Sequence, residues 1–224
     1  MNILAIDTIT PNLTVTARGE KGSATISVAS DTQHAERILE VIETALTLAF
    51  FSVRETNLVI CAEGPGSFTG LRLAYSTAKA IQLAAGCDLA TVPTLICFAH
   101  PYLSWPGAVI SVLDAKKKRF YVQVFRNGVQ ATEPLDIAVS EVLQCIDPSE
   151  RILITGPDAL LFAGELAASV PGLDASAVPY GTYAIADVIS AIAENRFPYY
   201  TENVPDHAGP LYVRKSDAET NTAG

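Results

Sequence analysis

The sequence is poor in the residues that bind metals and nucleic acids. It has three histidines in 224 residues, and its four cysteines form no Cys-x-x-Cys pair. Zinc modules and disulfide frameworks need such patterns, so the cysteines are expected to be buried thiols in a reducing compartment. Lysine and arginine number 15 against 24 acidic residues, and the net charge is −9. A protein that holds nucleic acid by itself is not expected, because neutralising phosphates needs clustered cations.

Long apolar runs are also missing. No stretch approaches the length that crosses a membrane, and Met1-Asn2 leads directly into a short apolar run without the features of a signal peptide. The sequence therefore predicts a cytoplasmic protein with no membrane partner. Its 49% hydrophobic and 17% charged residues are typical of a globular protein with a substantial core. The one basic cluster, Lys-Lys-Lys-Arg at residues 116–119, is interpreted as a solvated turn.

One glycine-rich segment, Glu-Gly-Pro-Gly-Ser-Phe-Thr-Gly-Leu-Arg at residues 63–72, separates an apolar run from a run rich in small residues. This pattern predicts a buried strand, a tight turn and a helix that Ser67 or Thr69 caps. Amide groups at such a helix N-terminus can attract an anion. The segment lacks the lysine of a P-loop and the glycine spacing of a dinucleotide-binding turn, and Ser67 directly follows Gly66, unlike a nucleophile elbow. A packing turn is preferred, and anion binding stays as the alternative.

Two patterns occur twice in the same order. An apolar strand ends in an aspartate and continues into a hairpin, first at Asp7 and again at Asp114. In each half a later apolar strand ends in Gly-Pro and leads into a helix. We interpret this as a degenerate duplication that gives an α/β protein of two related lobes with mixed sheets flanked by helices.

The predicted division places an N-terminal lobe at residues 1–103 and a smaller C-terminal lobe at residues 104–214. A hinge is expected at 101–107, a last amphipathic helix at 183–195, and a polar tail at 215–224.

The first long helix, predicted from about residue 33 to 50 with Asp31 or Thr32 as cap, carries two apolar stripes. Two stripes exceed what one sheet contact covers, so one stripe needs another partner. Together with the small-residue helix from about 70 to 85, it predicts a protein-binding surface. The predicted partner-binding residues are His34, Ile38, Val41, Ile42, Ala45, Leu48, Arg72, Ala74, Thr77, Ala78 and Ile81.

Within the actin-like ATPase fold, whose lobes are ribonuclease H-like, the chain resembles the bacterial TsaB (YeaZ-type) family. The match runs in order through residues 3–8, 34–39, 64–72, 92–95 and 210–214, and the Gly-Pro-Gly-Ser-Phe-Thr-Gly stretch is its most specific part. The second lobe matches more loosely.

The resemblance implies a place in the machinery that makes threonylcarbamoyladenosine beside the anticodon of tRNAs that decode ANN codons. There TsaD transfers the threonylcarbamoyl group, and TsaB is its required non-catalytic partner. The implied assembly is a heterodimer with TsaD through the two helices, with TsaE in the larger complex, a homodimer when alone, and tRNA contact only through the complex. ATP and Mg²⁺ are used by the wider complex, and no cofactor is expected on the isolated chain.

Two alternatives are enzymes. TsaD carries a His-x-x-x-His metal pair, whereas here His34 is followed four residues later by Ile38, so no metal and no glycoprotease activity are expected. Asp7 and Asp114 could hold nucleotide or Mg²⁺ weakly in a small-molecule kinase or ATPase. Neither has the following glycine that active members of the fold use to wrap a phosphate, so structural roles are preferred.

Overall fold

The computed structural model describes residues 1–29, 33–195, 201, 204–205 and 209–211. The strands are β1 (Ile3–Asp7), β2 (Asn12–Arg18), β3 (Ser23–Ala29), β4 (Leu58–Gly64), β5 (Asp88–Pro93), β6 (Ala108–Asp114), β7 (Phe120–Arg126), β8 (Val129–Gln130), β9 (Leu135–Ile137), β10 (Ile152–Thr155) and β11 (Ala175–Ala177). The α-helices are α1 (His34–Leu48), α2 (Phe68–Ala85), α3 (Thr94–Ala99), α4 (Ala159–Ser169) and α5 (Ile185–Glu194). Short 3₁₀ helices lie at Val53–Glu55, His100–Tyr102 and Val139–Gln144.

The first unit comprises Met1–Cys97 and Tyr183–Pro210. Its sheet has the order β3-β2-β1-β4-β5, in which β1 is antiparallel to β2 and parallel to β4. Side chains alternate between the two faces of a strand. Leu13 and Val15 of β2 therefore join one core with residues of α1 and α2, which cover the same face of the sheet.

Helix α5 covers the opposite face. It contacts β1, β2 and β4, and the Ala186 amide donates to Thr14 Oγ1 at 3.0 Å. Its outer side is held by Arg18 of β2, whose guanidinium pairs with Asp187 at 2.8 Å and Glu194 at 2.6 Å. The last predicted helix is thus present, but it differs from the predicted division, because it belongs to the first unit and not to residues 104–214. The first 97 residues leave the other face of their sheet apolar and uncovered, and α5 covers it.

The second unit contains Phe98–Thr182, so the boundary falls before the predicted hinge. Its sheet has the order β11-β10-β6-β7-β8, with β9 also paired to β7. As in the first unit, the strand that ends in aspartate pairs antiparallel with the next strand and parallel with the one that runs into Gly-Pro. The predicted duplication and the mixed α/β fold are confirmed. A core that includes Phe120 and Phe162, edge to face at 5.1 Å, lies under α4.

Several features predicted from the sequence lie partly or wholly outside the described residues. Helix α1 begins at His34 with Gln33 at the N-cap, and the predicted caps Asp31 and Thr32 lie outside the described residues. His207, the tail at 215–224 and most of the segment 210–214 also lie outside them. Within the described residues, no helix is long and apolar enough to cross a membrane.

Candidate functional site

In the first aspartate turn, the carboxylate accepts hydrogen bonds from residues of the turn itself. Asp7 ends β1 and is 1% exposed. Its Oδ1 accepts the Ile9 amide at 2.9 Å, and its Oδ2 accepts the Thr10 hydroxyl at 2.5 Å. Burial raises the pKa of this carboxyl from 3.8 to about 6, although both hydrogen bonds oppose the shift. Both carboxylate oxygens therefore stabilise the chain's own turn.

The glycine-rich segment packs directly on this turn. A Cβ added to Gly66 would lie 2.3 Å from Ile9 Cγ2, and one added to Gly70 would lie 2.3 Å from the Thr8 carbonyl oxygen. The Thr8 hydroxyl donates to the Gly70 carbonyl at 2.7 Å. Only glycine allows this approach at Gly70, where the obstacle is backbone.

Two amide groups in the first turn of α2, those of Gly70 and Leu71, bond to Ser67. Of the two predicted caps, Ser67 is the N-cap, and its Oγ accepts the Gly70 amide at 3.4 Å. Its carbonyl accepts the Leu71 amide at 2.8 Å. Ser67 is therefore a helix cap, and the packed loop favours the packing interpretation over the anion site.

The second aspartate turn is also internally bonded. Asp114 ends β6, and its carboxylate accepts the Lys116 amide at 2.7 Å and the Lys116 ammonium at 2.9 Å. The Asp114 amide donates to Asp158 Oδ2 at 2.7 Å, and burial raises the pKa of Asp158. Among the described residues, no group of three or more His, Cys, Asp or Glu side chains is placed to hold a metal ion.

Most of the predicted partner-binding residues of α1 lie in the core of the first unit. Ile38, Val41, Ile42 and Ala45 are buried against β2 and β3. Leu48 is 56% exposed. The prediction that the four buried residues face a partner is not supported, because they belong to the core between α1 and the sheet.

The same correction applies to α2. Ala74, Thr77, Ala78 and Ile81 are buried, and three of them join the core that α1 also covers. Arg72 is exposed, as an interface residue would be, and its guanidinium lies 3.8 Å from the centre of the Phe68 ring. Small residues on α2 serve its close packing on β4.

The exposed apolar residues of these helices are mostly different ones. Leu39 of α1 is 72% exposed and Leu83 of α2 is 85% exposed. Both helices cover one face of the sheet, so their outer sides face the same direction. We call Leu39, Leu48, Arg72 and Leu83 the α1–α2 surface. The sequence reasoning missed Leu83. This leucine lies seven residues after Ser76, on the polar side of α2, and that position indicates a leucine outside the core.

His34 has a local role. Its Nε2 lies 3.2 Å from the Pro11 carbonyl oxygen, which joins the start of α1 to the turn between β1 and β2. One helical turn later, Ile38 occupies the position where a second imidazole would lie, and it is buried.

Sequence reasoning also missed a polar group beside the first turn. Glu63 at the end of β4 accepts the Thr91 hydroxyl at 2.8 Å, and burial raises its pKa. The four cysteines are free thiols, of which Cys61 and Cys97 are buried. Burial raises the pKa of Cys61 to about 12, so it is not a reactive thiolate.

A sequence profile of the family described as TsaD, tRNA N6-adenosine threonylcarbamoyltransferase, matches residues 27–209. The Escherichia coli K12 protein named tRNA threonylcarbamoyladenosine biosynthesis protein TsaB is 31% identical over 54% of this chain, a match that spans 53% of that relative's length. An uncharacterised Mycobacterium bovis protein, Mb3455c, is 30% identical over 72% of this chain and 75% of its own.

A solved Pseudomonas aeruginosa structure, described as an uncharacterised protein with similarity to peptidase YeaZ, superposes with a TM-score of 0.77 at 20% identity. The superposition covers 95% of this chain and 99% of that one, which shows that the two-lobed, actin-like fold is shared. The chain belongs to the TsaB (YeaZ-type) family, within the wider TsaD family whose profile it matches.

Proposed function

We propose that this chain takes part in forming threonylcarbamoyladenosine in tRNA, as the non-catalytic partner of a TsaD-type transferase. The names of its relatives and the profile match over residues 27–209 support the pathway. The proposed setting is the cytoplasm, with TsaE in the larger complex and tRNA reached through that complex.

One observation carries the non-catalytic assignment. The first aspartate turn, which active members of the fold use for phosphate, holds the Ile9 side chain and is packed against Gly66 and Gly70. Both oxygens of Asp7 accept hydrogen bonds from residues of the turn itself. A phosphate or a hydrated Mg²⁺ would need to displace these contacts.

The competing proposal is a small-molecule kinase or ATPase that uses Asp7 and Asp114. Calorimetry of the isolated chain with Mg-ATP separates the two. We expect no heat above that of dilution, whereas saturable binding that Asp7→Asn removes would favour the enzyme.

We assign partner binding to the α1–α2 surface. Leu39 and Leu83 expose large apolar side chains on the same side of the first unit, where they are available to the equivalent helices of a TsaD-type protein or of a second copy. The surrounding exposed face of α1 carries Glu36, Glu40 and Glu43, which suits a partner with basic residues at its rim.

A paired substitution tests this assignment. Leu39→Glu with Leu83→Glu should abolish co-purification with the organism's own TsaD-type protein, because each places a carboxylate in an apolar contact. Both positions are exposed, so the thermal midpoint should change little. Leu160→Glu, at an exposed leucine of α4 in the second unit, is the matched control and should bind normally. Normal binding by the double variant would overturn the assignment.

The physiological role has its own test. Depletion of this chain should remove threonylcarbamoyladenosine from tRNA digests analysed by mass spectrometry, and purified TsaC-, TsaD- and TsaE-type proteins should need it to restore the modification. Full modification without it would reject the proposed function.

A further inference from the structure

Strand β3 forms an open edge of the first sheet. The sheet order places β3 outermost, beside β2, and among the described residues no strand pairs with its outer side. Helix α1 contacts one face of β3, whereas α5 contacts β1, β2 and β4 on the other face of the sheet. Four side chains of β3 are exposed: Ser23, Thr25, Ser27 and Ala29. The outward amide and carbonyl groups of such a strand can pair with another strand.

The other edges of the two sheets are covered or short. At the opposite edge of the first sheet, the backbones of Thr91 and Thr201 exchange hydrogen bonds at 3.1 and 2.9 Å, and the Val204 amide donates to the Leu89 carbonyl at 3.1 Å. In the second sheet, the outer strands β8, β9 and β11 have only two or three residues each. Covering an edge and shortening it both limit pairing with other chains. Strand β3 has neither protection, because it runs beside β2 for seven residues without a register shift.

The sequence of β3 also lacks the residues that block pairing at an edge. Ser-Ala-Thr-Ile-Ser-Val-Ala at residues 23–29 contains no charged residue and no proline. A charge, above all lysine, or a proline commonly prevents exposed edges from joining. In a chain with a net charge of −9, this uncharged edge lets two copies meet without repulsion between the strands themselves.

We propose that β3 pairs antiparallel with β3 of a second copy, which joins two five-stranded sheets into one continuous sheet. The strand is complementary to itself about its central residue, Ile26. A two-fold axis at Ile26 places Thr25 opposite the partner subunit's Ser27, and Ala24 opposite the partner subunit's Val28. Because residues directly opposite each other share a face of the sheet, hydroxyl side chains meet on one face and apolar side chains on the other.

The apolar face of β3 gives this pairing a driving force. Ala24, Ile26 and Val28 pack against the core of the first unit but are only partly buried. In the joined sheet they contact their counterparts across the axis and lose further apolar surface to solvent, which is favourable. The contact shares no residue with the α1–α2 surface, so it does not depend on the proposed function.

The test is sedimentation velocity of the full chain over a series of concentrations, in which the wild type should dimerise as its concentration rises. Thr25→Lys with Ser27→Lys should weaken dimerisation about tenfold or more, because the axis places lysines directly opposite each other at two symmetric sites. Thr25→Lys with Ser27→Glu should restore it, because each lysine then faces a glutamate. Both variants lose the same contact of Thr25 with the Thr16 hydroxyl, so their difference reports the pairing.

A control and a second readout make the result specific to β3. Leu160→Lys with Leu161→Lys adds the same charge at exposed positions of α4 and should leave dimerisation unchanged. In hydrogen–deuterium exchange, the amides of residues 23–29 should exchange more slowly at concentrations where the dimer forms.

A wild-type chain that stays monomeric at every concentration would overturn the inference. Equal dimerisation of the lysine–lysine and lysine–glutamate variants would overturn it as well. Dimerisation that persists in the lysine–lysine variant but is lost in Leu39→Glu with Leu83→Glu would place the contact between copies on the α1–α2 surface, against this proposal.

Discussion

Asp7 shows how a residue typical of a catalytic fold can take a structural role. Its position at the end of β1 is the one predicted, but its two oxygens accept hydrogen bonds from Ile9 and Thr10. Thr10 Oγ1 also lies 3.0 Å from the Asn12 carbonyl, so a single hydroxyl links the aspartate to the start of β2. The turn is therefore a connected hydrogen-bond unit.

The raised pKa of Asp7 gives a pH prediction. A folded-state pKa of about 6 against an ordinary 3.8 means that the folded protein holds this proton more tightly. The resulting stabilisation is fully present below pH 3.8 and is lost as the pH rises through 6, in total ~3 kcal/mol. Asp7→Asn keeps one of the two acceptor oxygens and cannot ionise. In urea titrations from pH 4 to 7, the variant should gain stability relative to the wild type, and parallel profiles would contradict this.

Gly70→Ala is expected to destabilise the protein by roughly 1–3 kcal/mol, because its Cβ would lie 2.3 Å from the Thr8 carbonyl oxygen, a backbone atom. Gly164→Ala is a matched control inside another helix, where an added Cβ meets nothing within 4 Å. That change should be neutral or stabilising by ~0.5–1 kcal/mol, since alanine favours the helix. Equal effects of the two changes in chemical denaturation would refute the close-packed loop.

At the scale of elements, α1 shows why apolar periodicity in a sequence predicts a larger binding surface than the folded helix exposes. The helix does carry more apolar residues than a typical surface helix, but residues on α1 and α2 share one core over the sheet. Whether a stripe faces solvent depends on how the neighbouring helix lies, and that is a tertiary property. The exposed large apolar residues of the two helices are Leu39, Leu48, Phe68 and Leu83.

The difference between buried and exposed apolar residues can be measured by two substitutions in α1. Val41→Glu buries a carboxylate at a side chain that is 4% exposed, and should lower the unfolding free energy by ~3 kcal/mol or more or prevent folding. Leu39→Glu, two positions away on the same helix, should change it by less than ~0.5 kcal/mol. Similar losses in guanidinium titrations would show that Leu39 is also part of the core.

At the scale of the whole molecule, the two units repeat one strand order, yet they are not sequential segments. Helix α5 belongs to the first unit, although it follows Phe98–Thr182 of the second unit in sequence. Arg18 joins β2 to this helix across more than 160 residues of sequence, with pairs to Asp187 and Glu194.

Because α5 belongs to the first unit, the structure predicts which fragments of the chain unfold cooperatively. Residues 1–103, the lobe expected from sequence, lack the helix that covers one sheet face and should not unfold cooperatively. Joining residues 183–211 to residues 1–97 through a flexible linker should restore a cooperative thermal transition by circular dichroism. A sharp transition for residues 1–103 alone would show that α5 is dispensable.

Local sequence patterns predict the duplicated order of motifs, the aspartate turns, a helix cap at Ser67 or Thr69 and the glycine-rich loop, because these depend on nearby apolar and turn-forming residues. The sequence also carried the family resemblance. Only the tertiary structure decided that Val41 and Ala78 are core, that Leu39 and Leu83 are exposed, and that α5 belongs to the first unit. Burial of a helix face depends on which distant elements pack against it, and local periodicity does not contain that information.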